Sequence, residues 1–273
     1  KKRILVAGAS GFLGSHLCQS FKNKNIDCIG FSRKCGAMVD YIVDDYKELI
    51  SSYDKNNILI NLAGDNANMD VNEQKVIFEL SNVYKSNMIF ISSSMVYGPY
   101  SDDKFSEKMT LDVSNDYAKS KALSEKVILN NKGLILRLAS IYGQGMEKNK
   151  LFNSIYNQIN NEGSHLKIRN MNVIKDYLYI DDFCDAMNSV LEKPLKNTII
   201  NLGSGIGIKS IKLVEVICKN LNKDFSKLKI SSKEDTPIKS ILNTDLFEKE
   251  YNWTSNINIE NGILKWIKNS RKK

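Results

Sequence analysis

The sequence predicts an α/β protein, a doubly wound parallel sheet carrying a smaller, mixed lobe drawn from its C-terminal half. Three observations predict it. Short, uniformly apolar runs such as "RILVAG" (3–8), "NILINLA" (57–63) and "GLILRLA" (133–139) recur through the first half, separated by amphipathic stretches. Strands covered on both faces by helical crossovers read this way. A glycine triplet, "GASGFLG" (8–14), falls where the first apolar run gives way to the first helical stretch. Beyond residue 140 the pattern becomes helix-dominated, with only short strand-like interruptions.

In chain order, the first strand (3–8) leads into a helix over 12–24 and a second strand at 26–32. Strands at 40–44 and 57–63 follow, with a short helix between them. Only eight residues separate Ser32 from Tyr41, so a crossover helix there must be shortened or absent. Next come a helix near 71–86, a strand at 88–94, a helix near 115–131 and a strand at 133–139. In the second half, helices are expected at about 148–161, 181–192, 210–222 and 259–270, with strands near 166–168 and at 198–203. Residues 1–140 thus form a nucleotide-binding core with a return around 176–205, and 141–175 with 206–273 form the lobe. No linker-like stretch separates the two, which predicts a lobe packed on the sheet.

Composition narrows the class. With 42% hydrophobic and 26% charged residues in 273, the chain reads as a soluble globular protein large enough for a substantial core. No apolar run approaches the ~18 residues that read as a membrane span, and "KKRILVAGAS" is too short-cored for a signal peptide. Five scattered cysteines without a Cys-x-x-Cys pair, and only His16 and His165, argue against a disulfide framework or a metal centre and for a reducing, cytoplasmic setting. The formal charge of +8 is spread along the chain. That suits a small anionic substrate better than nucleic acid, which calls for basic clustering.

The glycine triplet supplies the first functional expectation. Gly8, Gly11 and Gly14, with the intervening Ser10, Phe12 and Leu13, lie at a strand–turn–helix junction. There, glycine lets backbone N–H groups approach a pyrophosphate at a helix N-terminus. The spacing is Gly-x-x-Gly-x-x-Gly rather than Gly-x-Gly-x-x-Gly, and dinucleotide binding is the expectation. An acidic residue ending the second strand would bind the ribose hydroxyls of NAD, but this strand ends "GFSRK". Arg33 is one of 5 arginines against 34 lysines, and its planar guanidinium suits a 2′-phosphate. With Ser32 as a second donor, NADP(H) is the expected cofactor. Asp44 is a candidate for the adenine amino group, or equally a turn or cap residue.

The second expectation is catalytic. Tyr-x-x-x-Lys occurs twice, at Tyr100/Lys104 and Tyr117/Lys121. Tyr100 sits in "GPYSDDK", a loop-like stretch, whereas "YAKSKALSEKVILNN" reads as a helix. Residues four apart on a helix share a face, so Tyr117 and Lys121 point together. Reducing a ketone creates an alkoxide that needs a proton. A phenol ordinarily titrates near 10, and a neighbouring ammonium and a cationic nicotinamide are expected to bring Tyr117 toward neutrality. Ser93, at the end of the preceding strand in "ISSSMVYG", would hydrogen-bond the substrate oxygen.

Together these segments resemble the extended short-chain dehydrogenases/reductases, particularly those acting on nucleotide-linked sugars. "GASGFLG" looks like the family's glycine motif, "NLAG" (61–64) like its fourth-strand motif, "SSSMVYG" like its serine motif and "YAKSK" like its Tyr-x-x-x-Lys. "LRLASIYGQG" (136–145), "KDYLYIDDFCDAM" (175–187), "INLGSG" (200–205) and the closing "IENGILKWIK" also match family segments. The resemblance implies a Rossmann-type sheet, with Tyr117 as acid/base, Lys121 as its partner and Ser93 as the third member. Leu62 and Ala63 would lie along the cofactor, and Ser93, Ser94, Ser140 and Lys175 would face a nucleotide-diphosphate sugar. Helices near 71–86 and 115–131 would pair across a two-fold axis into a homodimer.

Departures from the family pattern narrow the reaction. The 4,6-dehydratases place an Asp-Glu pair where Ser94 and Met95 stand, and reductases that also epimerise use cysteine at Met95. Ser140 replaces a common asparagine and Lys175 a common arginine. The resulting expectation is an NADPH-dependent reductase of a nucleotide-activated 4-keto-6-deoxy sugar. A nucleotide-sugar 4-epimerase is the alternative, and an NADP-sensing, non-catalytic protein on the same fold is a more distant one.

Overall fold

The computed structural model describes residues 2–63, 71–161, 165–234 and 236–270. Gly64, the last residue of "NLAG", lies outside them. The first half is built from β1 (Ile4–Ala7), α1 (Phe12–Asn23), β2 (Cys28–Ser32), β3 (Tyr41–Ile42), β4 (Ile58–Asn61), α2 (Val71–Tyr84), β5 (Met88–Ser93), α3 (Asp116–Asn130) and β6 (Leu134–Leu138). The second half continues with β7 (Ser140–Tyr142), α4 (Leu151–Asn161), β8 (His165–Asn170), β9 (Val173–Tyr179), α5 (Ile180–Leu191) and β10 (Ile199–Leu202). It closes with β11 (Gly207–Lys209), α6 (Ser210–Asn220), β12 (Lys229–Glu234), β13 (Ile238–Ser240), α7 (Asp245–Tyr251) and α8 (Ile259–Ser270).

Seven strands form one parallel sheet in the order β10-β6-β5-β4-β1-β2-β3. The uniform apolar runs are explained by which face each residue serves. Along β1, Ile4 and Val6 pack with Leu17 and Phe21 of α1, while Leu5 and Ala7 pack with Ile77 and Leu80 of α2. The same alternation puts Ile89 and Ile91 of β5 on the α1 and α5 side and Phe90 with Ile128 of α3 on the other. Successive strand residues point to opposite faces, so a strand covered on both sides is apolar at most of its positions. Full burial of such an aliphatic side chain contributes about 1.5–3 kcal/mol.

The chain runs outward from β1 through β2 to β3, then returns to place β4 against the other side of β1. That reversal opens a crevice at the carboxyl ends of β1 and β4, the place where doubly wound sheets bind ligands. The short connection between β2 and β3 contains no helix among its described residues, as its length requires. Asp40 Oδ2 instead accepts from the Gly30 N–H at 2.7 Å and holds the bend. The strand expected over 40–44 shrinks to Tyr41–Ile42, and the short helix after it is a 3₁₀ turn, Tyr46–Ile50, with an Asp45/Glu48 capping box.

After β6 the chain leaves the sheet, rejoining it at β10 beside β6. A second sheet, β11-β9-β13 with β7 paired to β9, and a ribbon of β8 and β12 lie among α4, α6 and α8. Their apolar side chains, including Ile155, Leu213 and Trp266, are continuous with the core on the α1 side of the main sheet. Among the described residues, no helix is long and apolar enough to cross a membrane.

Candidate active site

The crevice begins at the glycine loop. Gly8 has φ +90°, a left-handed conformation, and a Cβ there would lie 3.0 Å from the Ala63 nitrogen and the Leu62 carbonyl carbon. A Cβ on Gly14 would lie 2.2 Å from the Gly8 carbonyl oxygen, closer than any real contact allows. Both positions therefore demand glycine, one for conformation and one for the approach of α1 to β1. The α1 N-terminus starts at Gly11 with no side-chain cap, so its first N–H groups face the crevice without an intramolecular acceptor from a capping side chain. A narrow, glycine-walled cradle at a helix N-terminus fits a dinucleotide pyrophosphate.

Across the crevice, Asn115 caps α3 by accepting from the Ala118 N–H at 2.9 Å. This cap sets Tyr117 in the first turn and Lys121 one turn later on the same face. The Lys121 ammonium lies 5.8 Å from the Tyr117 ring centroid and 4.8 Å from that of Phe90, and it donates to the Ile91 carbonyl at 3.0 Å. Ser93 caps the 3₁₀ turn Ser94–Tyr97 by accepting from the Met95 N–H at 3.2 Å. Its side chain also lies close enough to the Tyr117 phenol to favour the phenolate. Two chain segments separated by more than twenty residues thus bring serine, tyrosine and lysine together.

Burial lowers the Lys121 pKa to about 8, against the opposing pull of Glu125 and Glu73. Burial raises Tyr117 above the ordinary phenol range, and Ser93 only partly offsets this. The expectation of a tyrosine brought toward neutrality is therefore not met in the protein alone. Desolvation penalises the phenolate more than the nearby hydroxyl supports it. Tyr117 rests as a neutral phenol, equipped to give a proton.

Gly8, Gly11, Phe12, Leu13, Gly14, Leu62, Ser93, Tyr117 and Lys121 all line a cleft of about 320 Å³. Eight other expected positions lie off that lining. Ser10 and Ser32 meet hydroxyl to hydroxyl at 2.5 Å, tying the glycine loop to the end of β2. Arg33 is exposed, with Nη2 3.5 Å from Glu73 Oε1 and its guanidinium 5.6 Å from the Tyr46 ring centroid. Asp44 is exposed, and the neighbouring Asp45 does the capping. The Ala63 N–H donates to Asn61 Oδ1 at 3.0 Å. Ser94 opens the 3₁₀ turn, and Ser140 lies on β7 paired with Tyr177 of β9. Lys175, also on β9, is half-buried, its pKa lowered by burial and then by Lys150.

Sequence reasoning missed Ser92, Ile141, Met146, Glu147 and Lys150 on the cleft wall. Glu147 and Lys150 sit 3.6 Å apart, in the "GQGMEKNK" stretch that follows a recognised segment, and no local spacing marks them. The competing Tyr100 is exposed and donates to Asp102 at 2.8 Å, away from this cleft.

Comparison with known proteins places most of the chain in one family. Residues 4–203 match the model of the NAD dependent epimerase/dehydratase family. An Escherichia coli dTDP-4-dehydro-6-deoxyglucose reductase is 29% identical over 99% of this chain and 98% of its own length. A GDP-6-deoxy-D-talose 4-dehydrogenase from Aggregatibacter actinomycetemcomitans is 23% identical over 80% of this chain and 79% of its own. Among solved structures, a Bacillus anthracis dTDP-glucose 4,6-dehydratase in complex with NAD superimposes with a TM-score of 0.86. The two are 19% identical, and the match covers 100% of this chain and 97% of that one.

Proposed function

This chain belongs to the NAD dependent epimerase/dehydratase family, and from that premise we propose that it reduces the keto group of a nucleotide-activated 4-keto-6-deoxy sugar, using NADPH. One observation carries the choice of reaction. Elimination of water or deprotonation of a ring carbon needs acid/base groups beyond the tyrosine, and the positions following Ser93 hold Ser94 and Met95. Among the described residues lining the cleft, Glu147 is the single carboxylate, and it is paired with Lys150. What remains at the reacting end is a hydroxyl, a phenol and an ammonium, which suffice for reduction. The names of the Escherichia coli and Aggregatibacter relatives support the same reading.

When bound, NADPH supplies a hydride to the keto carbon. The Ser93 hydroxyl donates to the carbonyl oxygen as negative charge builds there. The Tyr117 phenol gives that oxygen its proton, and the Lys121 ammonium stabilises the phenolate left behind. Lys150 on the cleft wall and the half-buried Lys175 supply positive charge for the substrate diphosphate, with Ser94 and Ser140 on the same side. The lobe formed by 141–175 and 206–273 is thereby assigned to the nucleotide sugar and residues 1–140 to the cofactor. At the other end of the crevice, Ser32 and Arg33 would meet the 2′-phosphate, with Arg33 exchanging Glu73 for the ligand. We assign the protein to the cytoplasm, as a homodimer formed through α2 and α3, on whose surfaces Phe78 and Leu123 are about half exposed.

The test is to offer the purified protein 4-keto-6-deoxy sugars on dTDP, GDP, CDP and UDP and follow NADPH absorbance. Net NADPH loss with at least one of them, faster than with NADH at equal concentration, is expected. Interconversion of two sugars with no net change in cofactor would identify a 4-epimerase instead.

A further inference from the structure

Three consecutive residues of β5 are each tied to α3. The Ile91 carbonyl accepts from Lys121 at 3.0 Å, the Ser92 hydroxyl donates to Glu125 Oε1 at 2.6 Å, and Ser93 lies beside the Tyr117 phenol. Tyr117, Lys121 and Glu125 succeed one another at intervals of four and so form one stripe of the helix. Glu125 does not touch the cleft, yet it is the most firmly held of the three. Arg137 donates to it twice, Nε to Oε1 at 2.9 Å and Nη2 to Oε2 at 2.6 Å, with both side chains only 3% exposed. Arg137 is the β6 residue in register with Ser92. Its guanidinium lies 4.7 Å from the Tyr97 ring centroid, and the Tyr97 hydroxyl donates to Asn201 on β10 at 2.7 Å.

A helix–sheet interface can be filled by apolar side chains at no loss of stability, because desolvating an ion pair offsets most of its attraction. A buried pair whose spare valence ends on the strand carrying the active-site serine calls for another account. We infer that Glu125 is a positioning residue of this site. Braced by Arg137, its carboxylate fixes the end of β5 against α3 through Ser92 and sets a negative charge one helical turn from the Lys121 ammonium. The first effect holds Ser93 beside Tyr117, where small misplacements are costly. The second opposes the loss of the Lys121 proton that burial promotes, an effect shared with Glu73 from α2. The other groups facing Lys121 are the Tyr117 phenol on its own helix and the Phe90 ring and Ile91 carbonyl of β5.

The inference rests on Tyr117 and Lys121 being the proton-transfer pair, so its test includes a readout that needs no turnover. In protein carrying isotope-labelled lysine, the Lys121 side-chain signal, assigned by its disappearance in Lys121→Arg, is titrated by nuclear magnetic resonance. Glu125→Gln should move its midpoint to lower pH. Because that variant leaves Arg137 buried without its carboxylate, Glu125→Gln/Arg137→Met is measured alongside it, and the same downward shift is expected in whichever variant folds. Ser92→Ala keeps the charge but cuts the tie to β5, so the midpoint should stay while kcat falls roughly tenfold or more with KM little changed. An unmoved midpoint in a folded Glu125 variant, or undiminished kcat in Ser92→Ala, overturns the inference. Wild-type protein that turns over no keto sugar overturns the reductase reading instead and leaves the titration result standing.

Discussion

Tyr117 meets its two partners from different directions, Lys121 along its own helix and Ser93 from the end of β5. The helical half of that arrangement was legible in the sequence, because an interval of four residues is a local signal. Ser93 was legible only as a strand end near the tyrosine, and the choice among Ser92, Ser93 and Ser94 leaned on family resemblance. The structure gives those hydroxyls distinct surroundings: Ser92 bonds Glu125, while Ser93 caps the following turn and lies beside Tyr117. Nothing local could reveal Lys150, which reaches the cleft only through the fold of the lobe. Removing the phenolic proton should be costly: Tyr117→Phe is expected to lower kcat by about 10²–10⁴-fold, with cofactor affinity by fluorescence titration nearly unchanged. Lys121 titrates at about 8, below the ordinary lysine range. In the proposed reduction its working form is the ammonium, so kcat/KM should fall as pH rises through about 8. A profile flat to pH 10 would remove Lys121 from the mechanism.

At the level of elements, the first strand–turn–helix carries the most sequence information. Uniform apolar runs marked β1, β4, β5 and β6, because each is covered on both faces. The same logic failed in the lobe. β9 carries Lys175, Asp176 and two tyrosines, so it reads as polar and its sequence marks no strand. Pairing with β7, β11 and β13 makes it a strand, and that pairing is non-local. The short strands β11, β12 and β13 and the helix α7 were missed for the same reason. The junction of β1 and α1 makes its own prediction. A Cβ at Gly14 would collide with the Gly8 carbonyl, and neither is the end of a flexible side chain. Gly14→Ala should therefore weaken dinucleotide binding about tenfold or more and lower the melting temperature by several degrees, since overpacking typically costs about 1–3 kcal/mol. Calorimetric titration and a thermal melt would check both effects.

For the whole molecule, buried carboxylates, Glu125 and Asp176 among them, hold the parts together. Glu125 joins α3 to the middle of the sheet, and Asp176 joins β9 to the loop after β10. Asp176 accepts from the Ser204 N–H at 2.8 Å, the Ser204 hydroxyl at 2.6 Å and the Gly205 N–H at 2.9 Å. Breaking a buried ion pair from one side typically costs about 3–5 kcal/mol, so Arg137→Met alone should be far less stable than its double variant with Glu125→Gln, as equilibrium urea unfolding would show. The outer faces of α2 and α3 expose Phe78 and Leu123. Light scattering should accordingly return twice the chain mass of 31.0 kDa, and charged substitutions at both positions should return a single chain. These global features were only partly legible. The sequence marked the glycine loop and the order of strands, but the clasps depend on residues that folding brings together from distant parts of the chain.

The central claim is that this crevice runs a one-way reduction. Its most direct measurement is a single-turnover reaction with NADPH deuterated at the transferable position of nicotinamide C4 and a nucleotide-linked 4-keto-6-deoxy sugar. The account predicts one NADP⁺ formed per sugar, with deuterium retained on the reduced carbon of the product. Product formed without oxidised cofactor, or deuterium remaining on the nicotinamide, would contradict it.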